Sequence, residues 1–174
     1  MVSIGRCLGS AIVVVVAAAT LAAPAPAADA SGRAYSAAER AALKVVNDWD
    51  QAWKSKDARQ IGQYMADDVE FDDPNAFGRG TVKGRDQFIR DYDDPKTMMK
   101  GIEYYDILSQ YAAGGPDQTV VVQKRRDHFV MNGRHMSLSF VGFFVVKDGK
   151  IVQWRDIPLQ KLPSAPAAAA APSK

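Results

Sequence analysis

Three ionisable residues in the second half of the chain, Arg125, Asp127 and Asp156, have the types and spacing that acid–base chemistry needs. Successive side chains of an extended strand point to opposite faces, so Arg125 and Asp127 share one face of the strand predicted over Gln118–Met131. Apolar residues flank this pair, and charges on such a strand cost stability unless they meet opposite charges. Asp156 lies on a later predicted strand. An arginine between two carboxyls would give one proton donor and one acceptor. A surface ion pair is the alternative interpretation.

The N-terminal residues have the layout of a secretory signal. A positive charge within Met1–Arg6 precedes the apolar run Ile12–Leu21, and the small residues of Ala22–Ala30 offer A-x-A cleavage sites. The apolar run is shorter than the ~20 residues of a transmembrane helix, although an uncleaved anchor is the alternative. We therefore predict a signal peptide over residues 1–30, a mature domain over 31–162 and a periplasmic or secreted location.

The remaining composition limits the classes of function. The single cysteine, Cys7, lies in the predicted signal, so the mature chain has no disulfide or thiolate. The formal net charge is +2, and no basic stripe suggests nucleic-acid binding. His128 and His135 lack the spacing of a metal site and are expected to be exposed, so no metal or cofactor is predicted. The Ala/Pro-rich tail, residues 163–174, is predicted to be disordered.

Helices are predicted to come first. Ser36–Lys56 has apolar residues at a period near 3.6, and Ser36 with Glu39 has the spacing of a capping box. Asp50 lies within the apolar face of this helix or at its edge, and we expect it to border solvent. Further helices are predicted over Asp57–Ala66 and Arg85–Tyr92.

The strands follow. A short strand is predicted over Val69–Phe71, and Asn132–Gly133 and Asp148–Gly149 are hairpin signals between longer strands. The pattern therefore predicts an α+β domain in which three helices pack in a curved antiparallel sheet that forms a cone around one apolar cavity. The longer strands, predicted as an antiparallel meander, are Gly101–Tyr111, Gln118–Met131, Arg134–Lys147 and Lys150–Leu159.

The chain resembles the nuclear transport factor 2-like (NTF2-like, SnoaL-like) superfamily, which has this cone-shaped, cystatin-like fold. The resemblance covers about Ser36 to Leu159. The motifs that carry it are Trp49-x3-Trp53-x3-Asp57, the segment Tyr64–Val69, Asp73–Pro74 and Gly149–Lys150–Ile151. This fold hosts many activities, so these motifs indicate fold more strongly than chemistry.

Within the superfamily, the sequence is similar to limonene epoxide hydrolase, which carries Arg-x-Asp on a central strand and Trp-Arg-Asp on the last one. The resemblance implies water addition to a small apolar epoxide. Asp127 would protonate the epoxide oxygen, Asp156 would accept a proton from the attacking water, and Arg125 would bridge them. The Tyr-x-Asn pair that holds the water in that family is here Phe71 and Asp73.

Two alternatives remain open. Asp73 before Pro74 resembles the catalytic base of ketosteroid isomerase, although that family's oxyanion donors are here Trp49 and approximately Gly142. The second alternative is a non-catalytic binder of a hydrophobic small molecule. Whichever of these functions applies, the resemblance to the superfamily implies a homodimer. The apolar residues expected to contact the ligand are Trp49, Trp53, Phe71, Phe129, Phe140 and Trp154.

Overall fold

The computed structural model describes residues 32–72, 80–94, 97 and 99–159. The predicted signal segment and tail lie outside these residues and stay predictions. The helices are α1 (Ala37–Ala52), α2 (Ala58–Gly62) and α3 (Arg85–Asp93). The strands are β1 (Met65–Asp72), β2 (Val82–Lys83), β3 (Ile102–Gly114), β4 (Thr119–Met131), β5 (Arg134–Lys147) and β6 (Lys150–Pro158).

Helix α1 begins with the predicted capping box. The Ser36 hydroxyl accepts a hydrogen bond from the Glu39 backbone N–H at 3.2 Å, and the Glu39 carboxylate accepts from the Ser36 N–H at 2.7 Å. These bonds satisfy two backbone donors that a helix start leaves free. The apolar face of α1, with Val46 and Trp49, is buried against the sheet.

Helix α2 is shorter than the sequence predicted. The Asp57 side chain caps it by accepting from the N–H groups of Arg59 and Gln60. The helix ends at Gly62, and Met65 and Ala66 already belong to β1. The predicted helical end at Ala66 is therefore wrong, because Met65 is buried in the sheet and pairs with Ile151 of β6.

The α+β class and the NTF2-like fold are confirmed, with a curved sheet whose order is β2-β1-β6-β5-β4-β3. Strands β3 to β6 form the predicted antiparallel meander. The sheet is mixed rather than wholly antiparallel, because β1 runs parallel to β6. Strand β2 has two residues and was not predicted.

The two hairpin signals form the expected turns. Asn132 and Gly133 have φ angles of 52° and 73°, and Asp148 and Gly149 have φ angles of 49° and 71°. Two successive positive φ angles match the right-handed twist of the flanking strands. These turns set the register that places β4, β5 and β6 side by side.

Aromatic rings fill much of the space between the helices and the sheet. Trp49 lies 4.9 Å from Trp154 and 5.4 Å from Trp53 between ring centroids, and Phe71 stacks on Trp154 at 6.0 Å. All four rings are at most 2% exposed. The interior around these four rings is a packed aromatic core, and the apolar cavity of the cone stays a prediction. None of the helices within the described ranges is long and apolar enough to cross a membrane.

Candidate active site

Strand β4 places the charged pair on the inner face of the sheet. Its buried residues alternate with more exposed ones, and Gln123, Arg125 and Asp127 are all on the buried side. Arg125 is 1% exposed and Asp127 is 4% exposed. The shared face that the spacing predicted is therefore the interior face, and the alternative of a surface ion pair is wrong.

The Arg125 guanidinium bridges two carboxyls. Its Nε donates to Asp127 Oδ1 at 2.8 Å and its Nη2 donates to Asp127 Oδ2 at 3.2 Å. The same Nη2 donates to Asp156 Oδ2 in a short hydrogen bond. Asp156 comes from β6, where it pairs in register with Gly142 of β5. The structure thus brings together the three residues that the sequence singled out, and their catalytic roles stay predictions.

The Arg125 guanidinium lies over two aromatic rings, those of Tyr105 and Phe140. Its Cζ lies 4.9 Å from the ring centroid of Tyr105 and 5.8 Å from that of Phe140. A guanidinium over an aromatic ring is attracted by the ring's quadrupole, most strongly away from water. Arg125 therefore has a fixed place between the two carboxyls.

Asp50 and Gln123 join this site, although their positions in the sequence indicated no role there. Asp50 Oδ2 accepts a hydrogen bond from Gln123 Nε2 at 2.5 Å. Asp50 is 2% exposed and Gln123 is fully buried, so the expectation that Asp50 borders solvent is wrong. Asp50 is adjacent to Trp49 and three residues before Trp53 in the apolar stripe of the predicted helix Ser36–Lys56, and this position was the available signal.

Burial changes the acid–base properties of two carboxyls. Desolvation raises the pKa of Asp50 to about 7, although the Arg125 charge and the Gln123 hydrogen bond oppose it. Desolvation also raises the pKa of Asp127 to about 6, against the opposing effect of Arg125 and with a contribution from the Asp156 charge. A carboxyl with its pKa near the working pH can both hold and release a proton. Asp127 therefore suits the predicted donor role.

Arg125 itself stays charged. Burial acts to lower the pKa of Arg125, but the carboxyls of Asp156 and Asp127 outweigh it and hold this pKa well above its ordinary value. Burial raises the pKa of the Tyr105 hydroxyl well above its ordinary value, so the phenol is neutral. One fixed positive charge therefore faces three carboxyls.

The aromatic residues predicted to contact a ligand divide between two places. The four rings of the packed core, Trp49, Trp53, Phe71 and Trp154, form one cluster. Phe129 and Phe140 belong to a second cluster with Leu138. Phe140 lies beside Arg125, whereas Phe71 packs edge-on against Phe88 and has no hydroxyl to offer a water. Asp73 lies outside the described residues, so its predicted role stays a prediction.

The two cavities that we describe lie away from Arg125. One, of about 560 Å³, is an open groove beside α1 and β3. The other, of about 280 Å³, lies between the start of α1 and the turns that follow β3 and β5. Within the described ranges, no group of three or more His, Cys, Asp or Glu side chains is arranged to hold a metal ion.

On the outer face of the sheet, hydrogen bonds link three side chains, those of Asp106, His128 and Ser137, which the spacing did not reveal. His128 Nε2 lies 2.8 Å from Asp106 Oδ2, and Ser137 Oγ lies 2.9 Å from His128 Nδ1. The Tyr104 ring stacks on His128, whose side chain is 19% exposed rather than fully exposed. Ser137 lies on β5, directly opposite His128 of β4 in register.

The family of SnoaL-like domains matches residues 46–154. The chain belongs to this family, as the resemblance predicted. No curated protein sequence matches it.

Solved structures support the same fold. An LEH-like epoxide hydrolase from M. tuberculosis is 19% identical with a TM-score of 0.55, covering 69% of this chain and 84% of its own. A ketosteroid isomerase-like protein from Erwinia carotovora is 12% identical with a TM-score of 0.60, covering 73% and 100%. The CaMKII hub of S. rosetta is 16% identical with a TM-score of 0.58, covering 71% and 98%. At these identities the likeness establishes fold alone.

Proposed function

We propose that the chain is a small-molecule hydrolase of the limonene epoxide hydrolase type, which adds water to a small apolar epoxide. The observation that carries this proposal is the Arg125 guanidinium held between Asp127 and Asp156 on the buried face of the sheet. Burial and the Asp156 charge raise the pKa of Asp127 to about 6 against the effect of this cation, so Asp127 can carry the proton that the reaction donates.

The proposed reaction is a single displacement. Asp127, protonated, donates its proton to the epoxide oxygen as the C–O bond breaks. A water oxygen forms the new C–O bond and loses a proton to Asp156. The product is a diol, and proton exchange with solvent returns both carboxyls to their starting states. Arg125 stays charged throughout and keeps the two carboxyls in place.

Access to this site requires movement. The side chains of Arg125, Asp127 and Asp156 are 1%, 6% and 3% exposed, so a substrate must displace atoms that now cover them. Phe71 cannot hold the attacking water. The buried hydroxyl of Tyr105 belongs to the residue that pairs in register with Asp127, and it is the group we expect to take over this role.

The test is diol formation from cyclohexene oxide and limonene oxide, followed by chromatography. We expect Asp127→Asn and Asp156→Asn each to reduce turnover by at least 100-fold, because each removes a proton-transfer group that contributes about 10²–10⁴-fold. Asp106→Asn, on the outer face, is the control and should retain turnover. Unchanged turnover in both site variants would refute the assignment.

A non-catalytic binder of a hydrophobic small molecule is the second candidate. The absence of a hydroxyl at Phe71 that could hold the attacking water favours it. A ligand that raises the melting temperature without being converted would support this candidate, and a diol product would exclude it. An isomerase or cyclase that uses Asp73 is tested by Asp73→Asn, which should abolish activity only in that case.

We also propose that the chain is exported and that its N-terminal segment is cleaved. The layout of residues 1–30 supports this proposal. Mass spectrometry of the protein recovered from the periplasm or medium should show a new N-terminus near Ala27 or Ala30. Recovery of the intact chain in the membrane fraction would instead indicate an uncleaved anchor.

A further inference from the structure

Three side chains on the outer face of the sheet form a hydrogen-bonded row across three neighbouring strands. Asp106 lies on β3, His128 on β4 and Ser137 on β5. His128 Nε2 lies 2.8 Å from Asp106 Oδ2, and His128 Nδ1 lies 2.9 Å from Ser137 Oγ. The row is on the opposite face of β4 from Arg125, so it is separate from the site of the proposed hydrolysis. We call these three residues the outer-face row.

The partners of His128 indicate which of its ring nitrogens carries the proton. A carboxylate only accepts hydrogen bonds, so Nε2 must be the nitrogen that donates to Asp106. A neutral imidazole then has its lone pair on Nδ1, and this lone pair accepts the hydrogen bond that the Ser137 hydroxyl donates. A hydroxyl beside a base that a third group orients is the arrangement that activates a nucleophile.

The imidazole has a fixed orientation, whereas the hydroxyl is accessible. The Tyr104 ring stacks on His128 with the centroids 4.3 Å apart and the planes at 12°. Together with the hydrogen bond to Asp106, this stack opposes rotation of the imidazole away from Ser137. The His128 side chain is only 19% exposed, but Ser137 is exposed to solvent. A small molecule can therefore reach the Ser137 oxygen beside a base that is already in place.

We propose that Ser137 is an acyl-accepting nucleophile, that His128 is its general base, and that the reagents it takes are small activated esters. The Ser137 oxygen attacks the acyl carbon, and a new C–O bond forms as the bond to the leaving oxygen breaks. His128 Nδ1 takes the hydroxyl proton and passes it to the leaving oxygen. The products are an acylated serine and an alcohol or phenol. Asp106 does not touch the ester and is a positioning residue that keeps the proton on Nε2.

Acetylation by p-nitrophenyl acetate tests the nucleophile. The full chain is incubated with this ester and digested, and its peptides are followed by mass spectrometry for the gain of one acetyl group. General-base catalysis contributes about 10²–10⁴-fold, so we expect Ser137 to react roughly 100-fold faster than Ser139. Ser139 is on the same face of β5 but pairs in register with Arg126 instead of a histidine. Equal rates at the two serines would overturn the proposal.

A variant without the base separates activation from exposure. His128→Gln keeps a side chain that can bond to the hydroxyl but removes the base, so acetylation of Ser137 should slow by roughly 100-fold. Ser139→Ala is the matched control and should leave the rate at Ser137 unchanged. Neither His128 nor Ser139 belongs to a core cluster, so both variants are expected to fold. Acetylation of Ser137 at the wild-type rate in His128→Gln would overturn the proposal.

The tautomer of His128 tests the positioning role of Asp106. The chain has two histidines, so comparison with His128→Gln assigns the ¹⁵N resonances of both imidazoles, and the spectra are recorded at alkaline pH, where imidazole is neutral. We expect the proton on Nε2 of His128. Asp106→Asn should populate the tautomer protonated on Nδ1 and slow acetylation of Ser137 by roughly 10-fold or more, because that tautomer has no lone pair facing the hydroxyl. An unchanged tautomer and rate would overturn the role of Asp106.

The oligomeric state enters the test because a homodimer formed through β3 would cover Tyr104 and the outer-face row. Leu108→Lys, at an exposed position of β3, is expected to give the monomer. Acetylation of Ser137 in this variant should be at least as fast as in the wild type. Failure to acetylate Ser137 in both proteins would overturn the proposal, whatever the outcome of the assay for diol formation.

Discussion

The Arg125 guanidinium occupies the space where a side chain at Gly142 would stand. A Cβ at position 142 would collide with Nη1 of Arg125 and would lie 2.8 Å from Cε2 of Phe144. Glycine is therefore required because of a close approach, not because of an unusual backbone angle.

Gly142→Ala should displace Arg125 and loosen its bridge between the two carboxyls. We expect a loss of about 1–3 kcal/mol in the free energy of unfolding, the usual cost of overpacking a buried position. Diol formation should fall at least 10-fold. Urea denaturation and the turnover assay measure these effects. Gly115→Ala is the control, because no atom lies within 4 Å of a Cβ at that position.

Arg125→Met should be among the most destabilising substitutions in the chain. It leaves Asp127 and Asp156 buried without their cation, which typically costs about 3–5 kcal/mol. The loss should shrink toward pH 4, because Asp127, whose pKa burial raises to about 6, then binds a proton. Urea denaturation at pH 4 and pH 8 measures it, with Arg126→Met on the exposed face as the control. Equal losses for the two arginines would contradict the buried bridge.

Asp50→Asn should stabilise the protein at alkaline pH. The pKa of Asp50 is raised by burial from 3.8 to about 7 in the folded state, so the folded protein binds more protons than the unfolded chain between these values. Protonated Asp50 therefore adds to the free energy of unfolding of the wild type. This contribution is complete below about pH 4 and is lost as the pH rises through 7. We therefore expect the difference in free energy of unfolding, Asp50→Asn minus wild type, to be about 2–4 kcal/mol larger at pH 8 than at pH 4.

Thermal denaturation of both proteins from pH 4 to pH 8 checks this prediction. Parallel stability curves for the wild type and Asp50→Asn would mean that Asp50 does not titrate in this range. Asp48→Asn, which lies on the same helix with a more exposed carboxyl, should leave the pH dependence unchanged.

The exposed face of β3 should mediate the predicted homodimer. It presents several large apolar side chains to solvent, and extended apolar patches on a surface mark interaction sites. Leu108→Lys, at a position 48% exposed, should convert a dimer to a monomer in analytical ultracentrifugation. Lys124→Glu, on the neighbouring strand, tests whether charge alone has this effect. A wild-type monomer at all concentrations would refute the prediction. The apolar side chains are Tyr104, Leu108 and Tyr111.

Local patterns were enough to predict most of the fold. The alternation in β4 placed Arg125 and Asp127 on one face, and the Asn-Gly and Asp-Gly turns fixed the pairing of β4, β5 and β6. These features depend on neighbours in sequence, which a pattern can show. The bridge to Asp156 followed because the same turns place β6 two strands away from β4.

Long-range packing accounts for what the sequence did not reveal. Asp50 is buried because Gln123, 73 residues later, meets it across the core. The parallel pairing of β1 with β6 depends on the path of the whole chain. Trp49, Trp53 and Trp154 meet in a packed core, and no local pattern specifies how large rings share one space.

The parallel pairing of β1 with β6 also sets an order of events during folding. Within the described sheet, β1 pairs with the two-residue β2 and with β6, the last strand of the sheet. Contacts between segments so far apart in sequence form late, because closing a long loop costs entropy before the contacts repay it. Until the ribosome has released the last strand, Trp49 and Phe71 lack the Trp154 ring on which they pack.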